Sequence, residues 1–129
     1  MEKVTGIGGI FFKSKDPKAL QSWYAERLGV PVQDHGMMAF EWEDPAHPKR
    51  EGMTLVAPFA ADTKYFEPST SPFMVNYRVR DLDAMLAQLR AAGARVDEKI
   101  EESEFGRFGW VMDPDGNRVE LWEPPGQRG

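Results

Sequence analysis

Glu120 is the residue around which chemistry can be built. It stands in Arg118-Val119-Glu120-Leu121-Trp122-Glu123, where strand alternation sets Val119 and Leu121 on one face and Glu120 with Trp122 on the other. A carboxylate taken out of water beside an indole can act as a general base toward a proton next to a carbonyl. It can equally receive a cation, to which aromatic faces add attraction. Taken alone, a strand glutamate is an outward, solvated residue. The case for more rests on its surroundings. Few other groups in the chain are reactive. There is no cysteine, which removes disulfides, thiol catalysis and cysteine-ligated zinc. The two histidines, His35 and His47, sit in turn-like contexts that run over the exterior.

The pattern also shows the elements that must position Glu120. Asp113-Pro114-Asp115-Gly116-Asn117 is a turn: Pro114 presets φ, Gly116 or Asn117 supplies a positive φ, and the aspartates bond local amides. It joins the strand of Trp110 and Met112 to that of Glu120. Near the start, Ile10, Phe11 and Phe12 alternate as a strand, with Ile10 and Phe12 on one face. Gly6, Gly8 and Gly9 before them mark a bend or a close approach, and complete no phosphate-cradling motif. Asp16-Pro17 starts a helix whose apolar stripe of Leu20, Trp23, Tyr24 and Leu28 is expected in the core, with Gly29 closing it. Val30-Pro31-Val32 reads as a short extended piece. Residues 38–43 form a strand, 44–52 a polar loop, and 53–57 a further strand closed by Pro58. Residues 59–71 lack periodicity and form a connector of the length of a lid or crossover; Tyr65 and Phe66 either reach into a pocket from it or, as ranks first, pack it onto the body. A strand over 73–79 follows. Asp81 then caps a helix carrying Leu82, Met85, Leu86 and Leu89 and ending at Ala92-Gly93. Residues 96–102 are extended and charged.

A length of 129 residues fits one domain with a sizeable core. Four Trp, eight Phe, three Tyr and seven Met supply either a wide apolar interior or an aromatic-lined pocket. The net charge of −5, with both signs interspersed, argues against nucleic acid as a partner. No apolar run is long enough to cross a bilayer and no signal-peptide pattern opens the chain. A cytoplasmic protein with no membrane partner is expected.

The two halves repeat one layout. Asp16 and Asp81 each cap a helix that ends at a glycine, Gly29 and Gly93, with Val32 and Val96 at matching offsets beyond. Asp44-Pro45 answers Asp113-Pro114, and Leu55 with Pro58 answers Leu121 with Pro124. The expected fold is α+β, two tandem βαβββ modules whose curved mixed sheets enclose a concave cleft. Repeat one spans 5–58, the connector 59–71 and repeat two 72–125. With Trp23, Tyr24, Leu28 and Gly29 in the first helix and the Asp-Pro-Asp-Gly-Asn turn leading to Glu-Leu-Trp-Glu-Pro, this layout resembles the vicinal oxygen chelate superfamily. That is the group of glyoxalase I, bleomycin-resistance proteins and extradiol dioxygenases. The resemblance spans nearly the whole chain.

The resemblance implies a divalent metal in the concavity, acting as a Lewis acid on substrate oxygens. Carried onto this sequence, the four ligand positions fall on Gly9, Thr54, Met74 and Glu120. Only Glu120 is a good ligand, since Gly9 has no side chain, Met74 is a soft thioether and Thr54 a poor neutral donor. A divalent metal is therefore disfavoured as cofactor, and no other cofactor is implied. What remains is a cleft of Phe12, Phe40, Trp42, Asn76, Trp110, Met112 and Trp122 around Glu120, with Phe11 replacing Phe12 if the strand register differs. Arg107 stands at its mouth to orient an anionic group, or pairs with the acids of 97–104. A binding protein for a small organic molecule ranks first. An isomerase, lyase or dioxygenase-type enzyme using Glu120 as general base or as ligand of a weakly held metal ranks second, and a bare interaction module third. The resemblance further implies a homodimer.

Overall fold

The computed structural model of the chain describes residues 1–34, 36–44 and 47–126, with backbone alone for 43, 44 and 47–51. The elements are β1 (Val4–Ser14), α1 (Pro17–Leu28), β2 (Met38–Asp44), β3 (His47–Ala60), β4 (Phe73–Val79), α2 (Leu82–Ala91), β5 (Arg95–Val96), β6 (Glu101–Ser103), β7 (Gly106–Met112) and β8 (Arg118–Glu123). They form one curved eight-stranded sheet in the order β2-β3-β1-β4-β8-β7-β5, with β6 paired to β7. The antiparallel β1–β4 pair is the seam between the two repeats, and both lie in one chain. β1 runs parallel to β3, as β4 does to β8, which gives the mixed α+β architecture of two βαβββ modules.

The helix ends follow their sequence signals. Asp16 Oδ1 accepts the Ala19 amide hydrogen at 3.1 Å, Pro17 occupies the first turn, and Gly29 closes α1 at φ +68°. Asp81 caps α2 in the same way through Ala84, and the following Gly93 has φ +82°. The Asp113–Asn117 turn is held by Asp113 Oδ1, which accepts the amides of Asp115 (2.9 Å) and Asn117 (2.8 Å). The Asn117 side chain first, and then these backbone donors, hold the Asp113 carboxyl below its usual range. Gly116 rather than Asn117 supplies the positive φ.

Three expectations are corrected. Most of the polar loop over 44–52 is strand, because β2 and β3 continue as a ladder to the pair Asp44↔His47. The Val30-Pro31-Val32 piece makes only an isolated bridge, Val32↔Met38; Pro31 brings no amide hydrogen to a ladder. The first repeat therefore brings three strands to the sheet. Helix α1 buries none of its residues, and Trp23 and Leu28 are exposed. Its main contacts are with β3 and β1, Tyr24 meets Phe12 of β1, and Trp23 rests edge-on against Tyr24. In contrast, α2 seats Leu82, Met85 and Leu86 on Val79, Val111 and Leu121, as its stripe predicts.

A second buried cluster lies on the opposite, concave face: Phe11, Ala57, Phe66, Met74 and Trp110. Alternation then divides the last strands cleanly. Val111 and Leu121 pack under α2, while Trp110 and Glu120, paired across β7 and β8, face the concavity.

Candidate functional site

Glu120 lies at the floor of the concavity, only 2 % exposed. The register that places it pairs Glu120 with Asn76 of β4 and with Trp110 of β7. Its Oε1 accepts Asn76 Nδ2–H at 2.6 Å. Its Oε2 accepts Trp110 Nε1–H at 3.0 Å and also the hydroxyl of Tyr65 in a short hydrogen bond. All three partners donate, the arrangement of an acceptor-only, ionised carboxylate, and none of them carries a charge. Among the described residues Glu120 has no ion-pair partner. A buried carboxylate keeps such a place only because its lone pairs are satisfied.

Tyr65 arrives from the turn-rich segment 61–72, which folds back over the sheet. Its ring stacks on Phe59 and meets Trp110 edge-on, and Phe66 beside it is fully buried. The segment is pinned at several points. Arg118 Nη1–H donates to the Tyr65 carbonyl at 2.5 Å, the Ser71 hydroxyl to Asn117 Oδ1 at 2.6 Å, and the Lys13 amide to the Pro72 carbonyl at 2.8 Å. The Glu67–Pro68 peptide is cis. Burial above all, then the adjacent Glu120 charge and hydrogen bond, raise the Tyr65 pKa well above the ordinary tyrosine value. The hydroxyl therefore stays protonated in the folded state while it ionises near pH ~10 in the unfolded chain. Because the folded value is the higher one, this contribution to stability is full below that pH and is lost as pH rises above it. Urea melts between about pH 9 and 11 are expected to show stability falling with pH, and falling less steeply in Tyr65→Phe.

Beside Glu120 opens a cavity of about 530 Å³. Asn76, Glu120 and Trp122 of the expected cleft line it, together with Phe11, Leu55, Met53 and Phe108, and Met37 and Phe105 complete its wall. Phe105 is 65 % exposed and Met37 is 39 % exposed, at the rim. Phe11 rather than Phe12 faces inward, since β1 pairs Phe11 with Met74 of the concave cluster, beyond the irregularity between Ile7 and Gly9; Phe12 instead meets the Tyr24 ring of α1. Such an irregularity shifts the side-chain alternation, and the glycines that signalled a bend are where it occurs.

The remaining expected residues lie elsewhere. Phe40 is 45 % exposed on β2. Trp42 donates its indole hydrogen to Thr54 Oγ1 at 2.9 Å, and the Arg78 guanidinium lies between Trp42 and Trp122, 4.9 and 5.8 Å from their ring centres. Trp110 belongs to the buried concave cluster. With Met112 and Arg118 it also edges a separate hollow of about 260 Å³. Arg107 does not reach the mouth. It pairs with Asp83 of α2 at 3.0 Å and Glu102 at 2.9 Å, and the Asp83 hydrogen bonds lead in raising its pKa. His35 and the side chain of His47 lie outside the described residues.

The donor set does not fit a divalent metal. Gly9 has no side chain to offer, and a β-carbon there would lie 2.7 Å from the Phe11 ring. Met74 is fully buried in the same apolar cluster. The register Gly9↔Leu55 sets Leu55, not Thr54, beside Gly9; Thr54 donates to the Ile7 carbonyl at 2.6 Å and accepts from Trp42. Thr54 is therefore removed from the family's ligand set by one residue of register. Glu120 alone remains, and three protein donors already hold it. Among the described residues no three His, Asp or Glu side chains gather as a metal site would need. Phe11, Met74 and Phe66 pack together on this face as an apolar cluster.

Residues 9–122 match the family described as the glyoxalase-like domain. The chain belongs to that family. No curated protein matches it by sequence. Among solved structures, this glyoxalase-like chain is similar to methylmalonyl-CoA epimerase from Mycobacterium tuberculosis, with 24% identity over 94% of this chain and 89% of that one, at a TM-score of 0.60. It is also similar to a methylmalonyl-CoA epimerase in complex with methylmalonyl-CoA and NH4+, with 18% identity over 96% and 97% and a TM-score of 0.69. A glyoxalase/bleomycin resistance protein/dioxygenase superfamily member from Vibrio splendidus 12B01 has 15% identity over 95% and 99%, at 0.57. At these identities the shared property is the fold, the vicinal oxygen chelate architecture. Among the described residues no helix of the glyoxalase-like chain is long and apolar enough to cross a membrane.

Proposed function

We propose that this glyoxalase-like protein binds a small, largely apolar organic molecule in the cavity beside Glu120, without a metal. The observation that carries this reading is the composition of the wall. Phe11, Leu55, Met53, Phe108 and Trp122 supply apolar and aromatic surface, and among the described residues Asn76 and Glu120 bring the hydrogen-bonding amide and carboxylate to it. A volume of about 530 Å³ lies within the range of small-molecule sites. The chemistry of the relatives is a weaker guide, since fold likeness does not carry a substrate.

The test uses N-phenyl-1-naphthylamine, a neutral probe whose fluorescence rises in apolar surroundings. Saturable binding with one site per chain is expected, with quenching of Trp122. Leu55→Trp, which fills the cavity from its wall, is expected to weaken the probe at least about tenfold while leaving the fold intact. Unchanged probe binding in Leu55→Trp would place the probe elsewhere and end this reading.

A second reading, an enzyme with Glu120 as general base, is favoured by one observation. Three donors leave one of the roughly four lone-pair positions of the carboxylate open, on Oε1, and Glu120 lines the cavity. A base there would take a proton from a bound molecule while Tyr65 and Trp110 held the carboxylate in place. Solvent deuterium exchange into a bound ligand, lost in Glu120→Gln, is the result that would favour it. A homodimer belongs to the first reading as well, and sedimentation would then give twice the 14.6 kDa chain mass.

A further inference from the structure

The polar side chains of the cavity share one property that narrows the ligand. The carboxylamide of Asn76 spends one of its two Nδ2 hydrogens on Glu120, and its Oδ1, buried beside Gly8, has no partner among the described residues. Glu120 keeps an open acceptor position and a negative charge that no ion pair among the described residues cancels. From the described side chains the cavity thus offers open acceptor positions and a negative charge. Around them, Trp122 and Phe108 stand as parallel stacked rings, 6.2 Å apart at 5°, both on the cavity wall.

We infer that the cavity selects an organic ammonium, an amine carried on an aromatic or aliphatic body. This rests on the binding reading above and names the ligand class for that same site. An ammonium brings donors and no acceptor, which matches the floor; a carboxylate brings acceptors and a like charge, which does not. The aromatic wall adds apolar contact for the body that bears the ammonium, while the Arg78 guanidinium already lies over the Trp122 ring, 5.8 Å from its centre. A divalent ion is refused on the same geometry, because it demands several oxygen ligands and the floor presents one carboxylate already held by three donors. The net charge of −5 adds weak long-range attraction for a cation.

The test is a matched series on the wild-type protein: 3-phenylpropylammonium, 3-phenylpropan-1-ol and 3-phenylpropionate, each displacing N-phenyl-1-naphthylamine. The expected order is ammonium over alcohol by about tenfold or more, and alcohol over carboxylate by at least about as much. In Glu120→Gln the ratio of ammonium to alcohol is expected to fall to about one. A carboxylate that binds as tightly as the ammonium overturns the inference, and so does an ammonium with no advantage over the alcohol. Because the series is read on the unaltered protein, a folding defect in Glu120→Gln does not rescue it. If the probe binds and the order fails, only the ligand class falls. If neither the probe nor any of the three binds, the cavity reading falls and this inference with it.

Discussion

Trp110→Ala is expected to lower the unfolding free energy by about 3–5 kcal/mol, the range for removing a large aromatic side chain from a packed core. Trp110 is 2 % exposed and joins both halves of the concave face, touching the Phe11 and Met74 cluster of β1 and β4 from β7. Its loss opens a void and also removes the donor that meets Glu120 Oε2 at 3.0 Å. The two effects can be separated. Trp110→Phe keeps much of the volume and drops the indole hydrogen, and should cost about 1–3 kcal/mol, the usual penalty for an under-satisfied buried polar group. Guanidinium chloride melts give both numbers. Equal losses for the two variants would show that the hydrogen bond, and not the packing, dominates. A loss under about 1 kcal/mol for Trp110→Ala would contradict the placement of this ring in the core.

Glu120→Ala has an expected cost of similar size, about 3–5 kcal/mol, because several buried donors would go unpaired, each at about 1–3 kcal/mol. The methyl group left behind meets none of the three donors, so the Tyr65 hydroxyl, the Trp110 indole and the Asn76 amide would all lose their acceptor at the buried floor of the cavity. The carboxylate is a hub joining the connector, β4 and β7. Its removal is expected to loosen the segment 61–72 first, seen as faster amide exchange at Tyr65 and Phe66 under native conditions. A Glu120→Ala protein as stable as wild type, with exchange over 61–72 unchanged, would mean that the network carries little of the fold.

The repeat made the architecture legible in the sequence. Two aspartate caps, two closing glycines and the Asp-Pro-Asp-Gly-Asn turn are local signals whose chemistry acts within a few residues, and each forms as its type predicts. The floor of the site was legible for the same reason: Asn76, Glu120 and Trp122 follow from alternation inside β4 and β8. Register between strands was not legible. The family positions carried onto the sequence put Thr54 in the ligand set, whereas pairing with Gly9 turns Leu55 inward. Pairing with Met74 turns Phe11 rather than Phe12 inward, a choice that composition alone leaves open. Arg107 faced two possible sets of partners, and the helix carrying Asp83 decided between them.

Tyr65 is the residue that sequence reasoning ranked as packing ahead of a reach into a pocket. Its connector has no periodicity, and the acceptor of its hydroxyl lies 55 residues away in the chain. One signal was available. A tyrosine beside a phenylalanine in an otherwise polar connector pairs an apolar ring with a phenol that needs a partner once buried. The same residue helps to satisfy the buried carboxylate. Tyr65, Trp110 and Asn76 occupy three of the acceptor positions of Glu120.

The measurement that bears most directly on this account is elemental analysis of the untagged protein after equilibration with zinc, nickel and iron(II) and removal of free metal, in parallel with Glu120→Gln. The account predicts far less than one metal per chain for every ion, with no difference between the two proteins. Near-stoichiometric metal in the wild type that disappears in Glu120→Gln would contradict it, and would return the chain to the metal-dependent chemistry of its superfamily.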